Sequence, residues 1–481
     1  MLVYLVIIPI LAGSISMLLR RWKNFSFYAL LASLAFNCVI VLTLINKEIE
    51  YVLGNWGELG VQVGYDELTL PFLLASIVVI TAVAFNSLRK KYEGFFFSLL
   101  TILYGSLNAV YISRDLFNVY VSFELVSIIG FLLIAYNRKS SQIWASLKYM
   151  LINSLGFYLY LIAIGIVFSK TGSFSFDSLN EIGGFLPALI FLGLSVKSGL
   201  FFLSMWLPDA HTEAPSEVPA ISSGLIVKVE DYLILRLLQY DSFSWLTGTY
   251  VLVGSLSAVI AVIFAMNARR AKSILAYHTL SQVGFVVAAC NIAGAWHGFS
   301  HAVFKALLFL VVGNVHDRLG TQDIKKWKGK LLRREYIPLL IGAFAISGVP
   351  FTSGYVTKNA ILDTVPYFAD VLLIAASLGT VMSFSKFIFL GYKKNNRKSQ
   401  SWNITFVYTF LISIILIHGI LGFDLPHFIE SLIVIGVGVV AYFVFRSSFK
   451  PLPRLFERLD NALGIYFAFI GIVLTYLFFL P

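Results

Sequence analysis

Ionisable side chains stand at intervals inside apolar stretches of this sequence, and their types point to proton or cation movement rather than to bond-making chemistry. Glu124 lies within Phe123-Glu124-Leu125-Val126-Ser127, and Lys197, Lys228, His301, Lys305 and Lys358 lie in later apolar runs. Lys148, His278, His297 and Lys386 extend the set, and Glu230 and Asp231 follow Lys228 within three residues. A Lys or Glu near the middle of a membrane span costs roughly 2.5–3.5 kcal/mol on insertion scales unless it is paired or hydrated. Such residues therefore mark ion paths or counter-ion pairs. Glu124 needs a cation, and Lys197 is its natural partner. A carboxylate that approaches and withdraws from a lysine changes how tightly the lysine holds its proton, so this pair can act as a switch. The alternative is an ion pair that only holds helices together.

His297, His301 and Lys305 are spaced by four and form one helical stripe. Two histidines at that spacing could hold zinc, but a neighbouring ammonium opposes a dication and no carboxylate or thiolate joins them. Histidine titrates near neutrality and can pass a proton either way, so His301 beside Lys305 reads as a relay step, with helix packing as the structural alternative. Lys228, Glu230 and Asp231 are close enough either to line a hydrated cavity or to offset one another by local pairing. Arg236 lies near the end of an apolar run, where snorkelling accounts for it, and it is assigned no role. Lys386 stands between transport and snorkelling.

The elements that must position these residues are membrane helices. Of 481 residues, 58% are hydrophobic and only 13% are charged, a balance foreign to soluble enzymes. Apolar runs of about 18–25 residues recur along the chain, each long enough to cross a hydrocarbon core of roughly 30 Å. About sixteen spans are expected, at 2–19, 26–45, 68–88, 94–113, 115–136, 144–168, 182–206, 216–238, 247–267, 271–292, 294–316, 336–361, 368–392, 402–422, 428–446 and 464–480. The alternating ten-residue segments of a barrel are not seen. The net charge of +11 is topological, because Lys and Arg crowd the odd-numbered loops, as in Arg20-Arg21 and Arg89-Lys90-Lys91. Even-numbered loops hold only Lys47, Arg114 and Lys170. The positive-inside rule makes the odd loops cytoplasmic, and no nucleic-acid partner is expected. The run Met1–Leu19 has its basic residues after it, the reverse of a secretory signal, and is expected to be a retained span. Residues 317–335 read as a basic surface segment anchored at lipid headgroups. No metal or cofactor is expected. Cys38 and Cys290 lack CxxC spacing, and Gly436 and Gly438 lack the context of a nucleotide fingerprint.

The charges repeat. Glu124, Lys148, Lys197 and Lys228 are separated by 24, 49 and 31 residues; His278, Lys305, Lys358 and Lys386 are separated by 27, 53 and 28. Two units of five spans, 94–238 and 247–392, are expected, flanked by membrane helices in 1–93 and 393–481. Five is odd, so the second unit is inverted relative to the first. Breaks are expected at matching places, at Ser198-Gly199 with Pro208 in the seventh span and at Gly348-Val349-Pro350 in the twelfth. Proline and glycine there free backbone carbonyls that lipid cannot satisfy, so the backbone must line protein or water.

These residues resemble a known family, the antiporter-like subunits shared by respiratory complex I, Mrp-type cation/proton antiporters and membrane-bound hydrogenases. The resemblance is strongest from about residue 90 to 390. Its most specific motif is Trp206-Leu207-Pro208-Asp209-Ala210-His211-Thr212-Glu213-Ala214-Pro215, supported by Ser146-Leu147-Lys148-Tyr149, Ser281-Gln282-Val283-Gly284, and His301 to Leu310. It implies an all-α polytopic fold of about 14–16 transmembrane helices with discontinuous helices 7 and 12. It also implies a Glu124–Lys197 pair, a central hydrated axis at Lys228, His301 and Lys305, and an exit at Lys358. Glu230 and Asp231 depart from the pattern, since small residues are usual there, and so does Glu217-Val218-Pro219.

The expected protein is thus a proton- or cation-translocating subunit of a multisubunit complex in the cell membrane, moving H⁺ or Na⁺ beside other integral membrane subunits. No redox centre is expected in it. Its rivals are a self-sufficient secondary transporter of the same fold and a non-pumping structural subunit.

Overall fold

A computed structural model describes residues 1–54, 60–90, 92–201, 203–393, 402–453 and 458–478. Lys91 and residues 479–480 of the last expected span lie outside the described residues. Helices form where the apolar runs stand. The first six expected spans become α1 (Tyr4–Leu18), α2 (Lys23–Leu44), α3 (Leu70–Ser87), α4 (Gly94–Ile112), α5 (Leu116–Ile134) and α6 (Ser140–Thr171). The seventh is split into α7 (Leu186–Ser195) and α8 (Leu207–Glu213). The eighth is made of α9 (Val218–Ile221), a π-helical turn (Ser222–Ile226) and α10 (Val227–Leu237). Next come α11 (Thr247–Asn267), α12 (Ala271–Ala289) and α13 (Ile292–Leu319), and then a second split span, α14 (Arg333–Ser347) and α15 (Ser353–Leu362). The last are α16 (Tyr367–Ile388), α17 (Trp402–Leu421), α18 (Pro426–Phe445) and α19 (Leu459–Phe478). Ten of the described helices are long and apolar enough to cross a bilayer unaided. The chain is a multi-pass integral membrane protein.

Burial separates the centre from the rim. The most apolar stretch of α13 is 100% buried, whereas that of α18 is 6% buried. The helix bearing His297, His301 and Lys305 is therefore the axis of the bundle, packed by α3, α12, α14, α15 and α17. Both broken spans satisfy their freed backbone internally. At the first break Gly199 takes a positive φ of 81°, its N–H donates to Ser204 Oγ at 2.9 Å, and Phe201 N–H donates to Ser257 Oγ at 2.9 Å. Ser204 Oγ and Trp206 Nε1 both donate to the Val196 carbonyl. At the second, Gly348 closes α14 with φ 76°, and the Ile346 carbonyl accepts from Lys358 Nζ at 2.8 Å. The breaks face protein, as their chemistry requires.

Three features differ from the sequence reading. An antiparallel hairpin, β1 (Ile49–Leu53) and β2 (Val61–Tyr65), pairs Ile49 with Tyr65 and Leu53 with Val61 and lies over the head of α5, where Arg114 N–H donates to the Gln62 carbonyl. Five-residue strands are too short to stand out beside spans four times their length. The segment 317–335 keeps Lys325, Lys326, Lys328, Lys330 and Arg333 exposed, as a basic surface segment does, and is in addition pinned to the protein. Trp327 is fully buried with its indole N–H on the Thr321 carbonyl, and Arg318 pairs with Glu335 at 2.5 Å. Arg236 does not snorkel. It is buried and forks onto Asp66 through two 2.6 Å hydrogen bonds, with Arg114 on the same carboxylate at 3.3 Å.

Candidate functional site

The line begins at the rim. α5 starts at Asp115, whose carboxylate accepts from Asn118 N–H. Phe117, Val121 and Ile128 make its exposed stripe, and Glu124 lies on that stripe with its side chain 29% exposed. Glu124 is thus near the middle of its span but at the lateral edge of the chain, which the sequence did not reveal. Lys197, just past the end of α7, is buried and reaches outward to it at 3.7 Å. Its ammonium also donates to Ser127 Oγ at 2.8 Å and sits over the rings of Phe123 and Phe157, 4.1 and 3.7 Å from their centroids. Two rings, a hydroxyl and a carboxylate give that cation a fitted seat.

The centre is crowded with buried charge. Lys228 and Asp231 are both fully buried and form an ion pair within one turn of α10. Glu230 is buried between them in sequence, and its Oε2 has no hydrogen-bond donor. The Lys228 stem passes Gly298 of α13, where a Cβ would stand in ordinary contact 3.6 Å from Lys228 Cδ. His301 is one turn further along α13 and lies in the field of Lys228 and Lys305, with neither ring nitrogen hydrogen-bonded. Lys305 donates to the Leu275 carbonyl of α12 and stands over the Phe309 ring. His297 Nδ1 meets Thr357 Oγ1 at 2.9 Å, which ties α13 to the residue beside Lys358. Lys358 caps α14 from α15 and lies 4.9 Å above the Phe285 ring.

Not every expected residue joins this line. Lys148 pairs with Asp209 of the Pro208-Asp209 motif at 2.9 Å. His278 lies against Phe384, near Lys305 and Lys358, without a hydrogen bond on either nitrogen. Lys386 caps the end of α11 by donating to the carbonyls of Met266 and Ala268, and its charge reaches His278 beside those of Lys305 and Lys358. The sequence reading left both Lys272 and His211 without a role. Lys272 is buried in α12 on the Ala214 carbonyl, and His211 is buried with its Nε2 free. Lys272 lines a polar cavity of about 590 Å³ together with Lys90, Glu213, His316 and Asp317. Glu217 is fully buried behind it and accepts from Lys90, Tyr92 and Asn86 at 2.7–3.0 Å. A basic residue one position inside an expected helix was the available signal for Lys272.

A family model described as NADH:quinone oxidoreductase/Mrp antiporter, transmembrane, matches residues 113–383, more than half of the chain and all of the line just described. The chain belongs to this family. Among relatives of this antiporter-family chain, a Na(+)/H(+) antiporter subunit from Alkalihalophilus pseudofirmus is 28% identical over 458 residues, covering 87% of this chain and 92% of the relative. A putative antiporter subunit of Staphylococcus aureus is 27% identical over 428 residues, covering 82% and 86%. Two solved structures share the fold. One is a chain of a membrane-bound sulfane sulfur reductase, an archaeal respiratory membrane complex, with TM-score 0.81 at 22% identity over 93% of this chain and 99% of that one. The other is a chain of the Mrp complex of Dietzia, with TM-score 0.80 at 19% identity over 96% and 99%.

Proposed function

We propose that this chain is a proton- or cation-translocating subunit of a multisubunit membrane complex, and that Glu124, Lys197, Lys228, His301, Lys305 and Lys358 carry the ion's charge across its width. The observation that carries the reading is the series of ionisable groups, all but Glu124 buried, that runs from the rim of α5 through the axis helix α13 to the broken span at α15. Lysine and histidine bind and release protons without rearranging the backbone, so a series of them can hand charge along a helix bundle. Glu124 adds the reason for partners. A carboxylate on the stripe Phe117, Val121 and Ile128 would face hydrocarbon in an isolated chain, which membranes penalise, so another subunit covers it. The names of the relatives, antiporter subunit and respiratory membrane complex, support the same assembly. The two units 94–238 and 247–392 read as inverted repeats, supported by a break in each; cysteines placed at Ser173 and Lys326 should label from opposite sides of the membrane.

The test uses the complex with its partner subunits, reconstituted in vesicles at matched protein levels, with proton movement read by a pH-sensitive dye. Lys197→Ala and Glu124→Gln should each lower coupled transport at least about tenfold, the scale of losing about 1.4 kcal/mol of charge interaction. Glu124→Asp keeps the charge on a shorter arm and should retain part of it. Normal transport in all three variants would reduce the line to a scaffold.

A further inference from the structure

Between the rim pair and the centre the line has a step without a carrier. Lys197 is held by Glu124 and Ser127, Lys228 is held by Asp231, and among the described residues no hydrogen bond joins the two lysine sites. Glu230 occupies that interval. On α5, a Cβ at Gly130 would come within 3.1 Å of Ile226 Cδ1 and 2.9 Å of the Tyr149 hydroxyl, so the helix start at Ile226–Val227 meets α5 there. Arg114, at the head of α5, donates to Tyr232 near the end of α10 at 2.9 Å, so the two elements run antiparallel. Glu230 is one turn beyond Ile226 on the same face. Ser127, which holds the Lys197 ammonium, lies three residues back from Gly130 on the opposing helix, at the level where Glu230 arrives. Lys197, Asp231 and Lys228 all lie within electrostatic reach of Glu230, as do Tyr111 and Tyr149. Its Oε2 and Asp231 Oδ1 are both buried without a donor. A buried carboxylate oxygen left without a donor is costly in a merely structural role, so this one calls for an explanation.

We propose that Glu230 carries the proton from Lys197 toward Lys228, bridging the rim pair and the centre. The inference rests on the transport reading given above. When Glu124 withdraws, an N–H bond of the Lys197 ammonium breaks and an O–H bond forms at Glu230 Oε2, leaving a neutral amine and a neutral carboxylic acid. The acid then gives its proton through a bridging water to the free Oδ1 of Asp231, since adjacent residues of a helix do not face each other directly, and returns to the carboxylate. When Glu124 returns, the Lys197 amine takes a proton from a hydronium ion reaching the partly exposed Glu124 side, which leaves water behind and restores the ammonium. The π-helical turn at Ser222–Ile226 fits this placement, because its extra residue resets the faces of α10 just before Lys228 and Glu230.

The experiment measures proton movement in the reconstituted complex for Glu230→Gln, Glu230→Asp and Lys197→Ala. Glu230→Gln keeps the shape and a polar head but cannot carry a proton as an acid does, and it should lose transport at least about tenfold. Glu230→Asp should retain part of the rate with a displaced pH profile, a change that a packing role would not produce. If Glu230→Gln runs within about twofold of the parent while Lys197→Ala fails, the bridge is wrong and the transport reading stands. If Lys197→Ala also runs normally, the transport reading itself falls. Should Glu230→Gln not assemble, Glu230→Gly takes its place with the same thresholds; failure of both to assemble would assign the residue to structure and overturn the proposal.

Discussion

The two halves of the site hold their lysines by different means. In the first unit each buried lysine has a carboxylate: Lys148 has Asp209, Lys197 has Glu124 and Lys228 has Asp231. In the second unit the lysines donate to backbone carbonyls: Lys305 to Leu275, Lys358 to Ile346 and Lys386 to Met266. An ion pair in an apolar interior is held by strong attraction but strands a charge when either member leaves. A carbonyl is a fixed dipole that stays satisfied or finds another donor when the lysine is neutral or gone. The first half therefore has charges that must move together, as a coupling switch does. The second half can gain and lose single protons at lower cost, as a conducting relay does.

The largest expected break in this contrast is at Lys228. Lys228→Met leaves the fully buried Asp231 without its cation and should cost about 3–5 kcal/mol, seen as a fall in assembled complex and in the thermal unfolding midpoint. Lys358→Met, which strands only the Ile346 carbonyl, should leave assembly near normal although it interrupts the line. The double variant Lys228→Met/Asp231→Leu should recover most of the lost stability, because removing both charges removes the desolvation problem. Equal instability of the Lys228 and Lys358 variants would erase the distinction between the halves.

The acid-paired half also extends beyond the membrane, and there the effect of pH can be given a sign. Burial pushes the Asp66 carboxyl up, but hydrogen bonds and charge from Arg236, with the charge of Arg114 and a bond from Thr69, outweigh it and hold Asp66 well below the usual carboxylate range. A group depressed in the folded state stabilises fully above its unfolded value, about 3.9, and loses that contribution only as pH falls through the lower folded value. The knot should therefore be equally firm at pH 5.5 and pH 8. Asp66→Asn leaves two buried guanidinium groups facing an amide and should cost about 1–3 kcal/mol at both pH values, less than a fully buried pair because Asp66 is partly exposed. A loss confined to the higher pH would show that Asp66 titrates near neutrality and that the knot is a pH sensor instead.

Much of this arrangement was legible before the fold was seen, for physical reasons. Apolar length marks a membrane helix and rare charges stand out against it, so the expected spans coincide with helical segments and the two breaks fall where Gly199 and Gly348 take positive φ. Periodicity placed His297, His301 and Lys305 on one stripe of α13. What could not be read was which side chain answers which. Asp209 sits in the chain's most specific motif, yet nothing in its spacing says that Lys148 lies against it, because the pairing depends on how α6 and α8 pack. The exposure of Glu124 was hidden for the same reason, since an apolar helix turns one face to lipid and one to protein and the sequence is greasy on both. Arg236 was mistaken for a snorkelling residue because its partner, Asp66, is far away in sequence and beside a hairpin too short to notice.

The smallest expected effect is at Lys386, and it decides whether the second half contains a relay step at its outer end or only a cap. Lys386 Nζ donates to the carbonyls of Met266 and Ala268 where α11 ends, so it meets the last free acceptors of that helix and the negative end of its dipole. A cation in that position contributes about 0.3–1 kcal/mol. It also lies over the Phe449 ring, 5.2 Å from the centroid, and lines a cavity of about 300 Å³ with Arg446 and Phe389, away from Lys305 and Lys358. If it is a cap, Lys386→Gln, which can still donate to a carbonyl, should lower the unfolding midpoint less than Lys386→Ala, and both should transport nearly as well as the parent. If it belongs to the relay, Lys386→Gln should fail as badly as Lys386→Ala in transport, because an amide donates a hydrogen bond but carries no proton. Paired measurements of unfolding midpoint and dye-reported proton flux on the two variants separate these outcomes, since the cap predicts graded stability with near-normal transport and the relay predicts that both variants lose transport alike.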